Sequence, residues 1–203
     1  MRHHLSRAVV VGWIMAVATG SSAHALAPTY RVIKDQSTLS FVGVQQGEQF
    51  TGVIKDFVAT VRYAASDLAG SLLDVVIHLR SLDTRSSERD QALATADWFA
   101  ISQFPDATFR TVAIRQTVNG PVGDADLTIK GRTKRIAFPF VWAQTVHGAT
   151  LDARVRLNRL DFGLGSGEWV DATVVGHQVD VIVHLTLIAT PSVPATVAQP
   201  LRR

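Results

Sequence analysis

Along most of the chain, apolar and polar residues alternate with a period of two. In SLLDVVIHLR (71–80), Leu73, Val75, Ile77 and Leu79 fall on one face, opposite Asp74, His78 and Arg80. DADLTIK (124–130) sets Ala125, Leu127 and Ile129 against Asp124, Asp126, Thr128 and Lys130. LDARVRLN (151–158) and QVDVIVHLTL (178–187) repeat the habit, with Leu151, Ala153, Val155 and Leu157 in the first and Val179, Val181, Val183, Leu185 and Leu187 in the second. Each reads as a strand with one apolar and one wet face, as in an antiparallel sheet. Further strands are expected around 30–33, 39–44, 50–63, 108–116 and 136–142, separated by turns such as Val118-Asn119-Gly120 and Lys130-Gly131-Arg132. About eight strands of this kind predict an all-β protein, either a sandwich or a closed barrel, and closure would remove exposed sheet edges.

One segment breaks the rhythm. SSERDQALATADWF (86–99) offers Ser86 or Ser87 as an N-cap, acids in the first turn, good helix formers through Ala96, and Asp97 as the cap of a shorter second turn. Pro105 then stops any helix and pushes Phe104 towards extended backbone. The chain has fifteen aromatic residues, and four of them, Trp98, Phe99, Phe104 and Phe109, lie just behind this helix. Ile136, Phe138, Phe140 and Trp142 share one face of a single strand, and Phe57 and Tyr63 share one face of another. An eight-stranded barrel is just wide enough to be filled by side chains or to hold one small ligand. Alternation alone leaves both open.

The ends read differently. Residues 1–25 carry Arg2 and Arg7, an apolar run from Ala8 to Ala18, and Ala23-His24-Ala25, the pattern of a secretory signal peptide cleaved near Ala25. The apolar run is about half of what a membrane-spanning helix needs. Residues 26–189 form one domain, and the proline-bearing tail 190–203 is expected to be disordered. Both arginines leave with the leader and no acid does, so the mature chain keeps 18 basic and 17 acidic side chains. The high isoelectric point of the full chain therefore says little about partners, and no basic run interleaved with aromatics marks a nucleic-acid surface. Cysteine is absent, which excludes disulfides, thiolate catalysis and cysteine metal sites.

Little else points to chemistry. His78, His147, His177 and His184 remain in the mature chain, none paired at metal-ligand spacing, with His78 and His184 on polar strand faces. Glu168 and Asp171, flanking Trp169, are the only acids near an aromatic in a turn and the only acid/base candidates. GLGSGE (163–168) lacks the lysine of a phosphate loop and reads as a turn needing backbone freedom.

The order of short motifs says more. Asp35-x-Ser37, Phe41, Phe50-x-Gly52, Phe57, Thr84, Arg89-Asp90, Leu93, Asp97-Trp98-Phe99, Phe104-Pro105 and Phe109 follow one another. Gly123, Leu127-Thr128-Ile129-x-Gly131-x-Thr133-Lys134 and Arg159-x-Asp161-Phe162-Gly163 complete the series. This succession resembles the YceI family of polyisoprenoid-binding proteins over about residues 30–189. The resemblance implies a lipocalin-like barrel, a periplasmic address, and a non-enzymatic carrier with an elongated apolar pocket and no cofactor beyond a bound isoprenoid or quinone. Some members are associated with b-type cytochromes, which implies a quinone-like ligand and such a membrane cytochrome as partner. It leaves the oligomeric state open, a dimer included. The implied pocket residues are Phe41, Phe57, Trp98, Phe99, Phe104, Phe109, Leu127, Phe138, Phe140, Trp142 and Phe162, with the helix and the aromatics after it as a lid. Many members carry histidine where this chain has Gln36, and often another where it reads VQQGEQF (44–50), so the resemblance leaves the headgroup contact of those histidines open. An enzyme acting on an apolar substrate in the same barrel, and a filled structural barrel, are the alternatives.

Overall fold

The computed structural model describes residues 27–190; the proposed signal peptide and the tail from 191 lie outside the described residues. The alternating segments form antiparallel strands β1 (Thr29–Val32), β2 (Thr38–Gln45), β3 (Glu48–Ile54), β4 (Phe57–Arg62), β5 (Leu72–His78), the two-residue β6 (Leu82–Asp83), β7 (Asp106–Thr117), β8 (Gly120–Ile129), β9 (Arg132–Gln144), β10 (Gly148–Asn158) and β11 (Gln178–Ala189). Helix α1 (Ser87–Ala94) is the one α-helix among the described residues.

Eight strands close a barrel in the order β1-β4-β5-β7-β8-β9-β10-β11, with β11 returning to β1. Closure is made by short pairings, Tyr30 opposite Ala189 and Val32 opposite Leu187, and on the other side Tyr30 opposite Val61. The same edge of β11 that holds β1 goes on to hold β2, from His184 opposite Thr38 to Asp180 opposite Val42. Thus β1 and β2 act as one strand bent at residues 33–37. The apolar run expected as a single strand over 50–63 is likewise broken at Lys55-Asp56, where Ser81 accepts the Asp56 N–H at 2.9 Å. Beyond these bends β2 and β3 splay from the barrel. The barrel is therefore shut at one end and open at the other.

The shut end is filled by aromatics. Trp142 packs on Tyr63 (ring centroids 4.6 Å apart) and Tyr30 (5.0 Å), and Phe140 packs on Tyr63 (5.5 Å). Tyr30, Tyr63, Phe140 and Leu187 are all at most 6% exposed. Where β7 must curve, a bulge between Thr111 and Ala113 turns Val112 outward. Thr111 then fills the gap, donating its N–H to Asp74 (3.0 Å) and its hydroxyl to the Leu73 carbonyl (2.6 Å).

On the wet face, charges alternate as expected. Asp180 sits between Arg156 and Arg154, each 2.7 Å away, and these bonds hold its carboxyl well below the usual carboxylate range. Its contribution to stability is present above the ordinary carboxylate pKa and fades only as pH falls through the lowered value. Asp180→Asn should therefore change unfolding at neutral pH more than in strong acid, measured by denaturation at several pH values. An equal effect throughout would count against the pairing.

Candidate functional site

At the open end, three segments cover the gap that the splayed strands leave. Helix α1 starts at Ser86, whose Oγ accepts the Arg89 N–H at 3.3 Å. The helix is moored from its first turn: Asp90 accepts from the N–H (2.9 Å) and the hydroxyl (2.7 Å) of Thr84, which is buried. After it, residues 95–104 form a coil of turns, and Asp97, expected to cap a second helical turn, instead bonds the facing loop. Its carbonyl accepts from Gly165 N–H (2.8 Å), and its carboxylate accepts from the Ser166 hydroxyl (2.8 Å).

That facing loop, 159–176, is built around one cation. Arg159 is 3% exposed and, among the described residues, has no carboxylate within bonding distance. Its five N–H groups go to five main-chain carbonyls: Gly176 from Nε (3.0 Å), Leu164 (2.7 Å) and Gly165 (3.2 Å) from Nη1, and Val175 (2.8 Å) and Trp169 from Nη2. Burial pushes its pKa down from the usual guanidinium value. The glycines of GLGSGE do the wrapping: Gly165 has φ 77°, and a Cβ there would lie 2.2 Å from Arg159 Nη1. Trp98 caps the assembly, its ring centroid 5.2 Å from the guanidinium carbon and 5.9 Å from the ring of Trp169. Among the described residues the buried Trp98 indole N–H has no hydrogen-bond partner.

Between this lid and the shut end lies a cavity of about 710 Å³. Its walls are the apolar faces read from the sequence, among them Val75 and Ile77 of β5, Val155 and Leu157 of β10, and Val181 and Val183 of β11. Its mouth is polar, with Gln45, Gln46, Glu48 and Gln49 of the β2–β3 hairpin facing Ser86, Glu88 and Arg89 of the helix. Arg89 lies 4.1 Å over the Phe50 ring and donates to Gln45 Oε1 at 3.0 Å. The barrel is hollow.

Phe41, Phe57, Trp98, Phe99, Phe109, Leu127, Phe138 and Phe162 all stand on the cavity wall. Phe104, Phe140 and Trp142, expected beside them, do not. Extended backbone before Pro105 carries Phe104 onto the β8–β9 turn, where its Cε1 would touch a Cβ on Gly131 at 3.0 Å. Phe140 and Trp142 do face inward, but two and four residues beyond Phe138 they have passed the cavity floor and entered the aromatic plug. Sequence reasoning passed over Phe50, Trp169 and the buried Arg159 as members of the site. Phe50 and Arg159 were within reach, because both stand in the motifs quoted above.

The acids flanking Trp169 point away from the cavity. Glu168 and Asp171 are exposed, and Asp171 is tied to the N–H and hydroxyl of Thr173, bonds that lower its pKa. His78 pairs with Asp106 (2.7 Å) and His184 with Asp152 (2.6 Å) on the outer face. Replacing either histidine by alanine is expected to leave uptake of an apolar probe into the cavity unchanged; loss of that uptake in a folded variant would contradict the strand register.

A hollow barrel with a polar mouth and the ordered motifs can be set beside known proteins. The model of the YceI-like domain matches residues 30–187. The chain belongs to the YceI family. It is 28% identical to Protein YceI of Escherichia coli O157:H7 over 187 residues, spanning 87% of this chain and 95% of that protein. Among solved structures, BcnA of Burkholderia cenocepacia is 30% identical, with a TM-score of 0.73 over 79% of this chain and 100% of that one. A domain of Saccharophagus degradans described as polyisoprenoid binding shares the fold at 16% identity, with a TM-score of 0.63 over 82% of this chain and 100% of its own. The YceI motifs now have physical roles: Arg89-Asp90 moors the helix at the mouth, and Arg159 holds the facing loop together.

Proposed function

We propose that this protein is an exported, non-catalytic carrier that shelters the chain of a polyisoprenoid or quinone-like lipid. The observation that carries the reading is the cavity of about 710 Å³, apolar along most of its walls, shut at one end and polar at its mouth. Membership of the YceI family supports it, and so does the polyisoprenoid-binding description of a neighbour that shares the fold. The work is solvent transfer. Each CH₂ taken out of water contributes about 0.8 kcal/mol, so an isoprene unit brings roughly 3–4 kcal/mol before ordering costs are subtracted. No bond is made or broken, and selectivity lies in bore, depth and mouth. A quinone-like cargo would fit the membrane b-type cytochrome that the resemblance implies as partner.

Carriage of this kind calls for a periplasmic address, which the signal-peptide pattern of residues 1–25 supports. Intact-mass measurement of the secreted product should find a chain beginning near Leu26; a membrane-bound product retaining Met1 would contradict export. Binding itself is tested on lipid-stripped protein. Adding a long polyprenol should raise the unfolding midpoint progressively with concentration, as for any ligand that binds only the folded state. An unmoved midpoint would overturn the carrier reading.

A further inference from the structure

Three strand-interior glycines have no backbone reason to be glycine. Gly43, Gly52 and Gly123 are buried, and none adopts the positive φ that would exclude a side chain. In extended backbone alanine would strengthen each strand. What they share is the residue across the ladder. Gly52 pairs with Phe41, Gly43 with Phe50, and Gly123 with Phe138. In each pair the ring is folded flat over its glycine: a Cβ on Gly52 would lie 2.2 Å from Phe41 Cζ, on Gly43 2.8 Å from Phe50 Cζ, and on Gly123 2.1 Å from Phe138 Cζ. All three rings line the cavity.

We infer that these Phe–Gly pairs set the bore of the tunnel, and with it the chains the tunnel admits. The inference rests on the carrier reading and adds the residues that decide its selectivity. A phenylalanine directed into a barrel of this width would ordinarily cross the lumen. Opposite a glycine, the ring can instead lie back into the recess left by the missing side chain, so the wall is aromatic and the space remains open. Phe41 has no second recess, because its neighbour on the other side is Val181 of β11, itself on the wall. Displaced from Gly52, its ring must enter the lumen. Phe41 and Phe50 sit diagonally, edge to face at 6.1 Å, near the mouth; Phe138, stacked on Phe140 at 5.6 Å, closes the floor. The first two limit cross-section and the third limits depth.

The test compares wild type, Gly52→Ala, and Gly52→Ala combined with Phe41→Leu, each stripped of lipid and titrated with polyprenols of increasing length. A ring in the lumen excludes at least the contacts of two methylenes, so Gly52→Ala should bind long polyprenols about tenfold or more weakly. Adding Phe41→Leu should restore binding. Wild-type affinity in Gly52→Ala, or no recovery in the double variant, overturns the inference. Crystal structures of wild type and Gly52→Ala decide the same point without any lipid. The expected result is Phe41 turned inward and a smaller cavity, while an unchanged cavity overturns it. If wild type binds no polyprenol, the carrier reading fails and the bore is judged on those structures alone. Should Gly52→Ala not fold, Gly43→Ala against Phe50 provides the same comparison.

Discussion

Replacing Arg159 with methionine should destabilise the protein by about 4 kcal/mol or more, lowering the thermal midpoint by about 10 °C in a domain of this size. The side chain is buried and satisfies five main-chain carbonyls at once. Methionine fills part of the volume and bonds none of them, and each buried acceptor left without a donor costs about 1–3 kcal/mol unless water reaches it. The damage should be local. The loop 159–176 and the Trp98–Trp169 contact depend on the guanidinium, whereas the barrel wall does not. Protease sensitivity and amide exchange are therefore expected to rise first in that loop, and any bound lipid to leave faster. Lysine should rescue little, because an ammonium has three donors and no planar fork. A loss below about 1 kcal/mol, or full rescue by lysine, would mean that the loop holds itself.

The second large effect belongs to the shut end. Phe140→Ala should lose the full penalty of a packed core, about 3–5 kcal/mol, because the ring touches Tyr63 and Phe138 and is 5% exposed. The set of chains bound should not change, since Phe138 still stands between the plug and the cavity. Denaturant unfolding with and without polyprenol separates the two statements. Added lipid should stabilise wild type and variant alike. If it stabilises neither, the barrel behaves as filled; if the variant accepts longer chains, the floor lies deeper than Phe138.

How far the sequence alone carries can be judged from these two residues. The wall was legible: the period-two faces of β5, β8, β10 and β11 are the faces that line the cavity or plug its end, because a soluble barrel has one place to put them. The depth of the cavity was not. Phe138 and Phe140 are both inward residues of one strand, and alternation assigns a face without saying how far along it the hollow ends. That boundary is set by Tyr30 and Tyr63, which meet Phe140 and Trp142 only after strands distant in sequence are paired. Phe104 was misplaced for a local reason, the backbone before Pro105, whose consequence depends on where the β8–β9 turn lies. Arg159 was visible as a motif residue, but its partners are main-chain carbonyls, and no residue type records a carbonyl. The glycines of β2, β3 and β8 acquire a role only once the register sets a phenylalanine across from each.

The central claim, that this barrel holds a lipid chain, is tested most directly by native mass spectrometry of the protein purified from its native host, followed by extraction and identification of what is bound. The account predicts a mass above that of the processed chain, accounted for by one polyisoprenoid or quinone-like molecule and lost on organic extraction. A population that is uniformly unliganded when gently purified, and that takes up no added polyprenol, would contradict it.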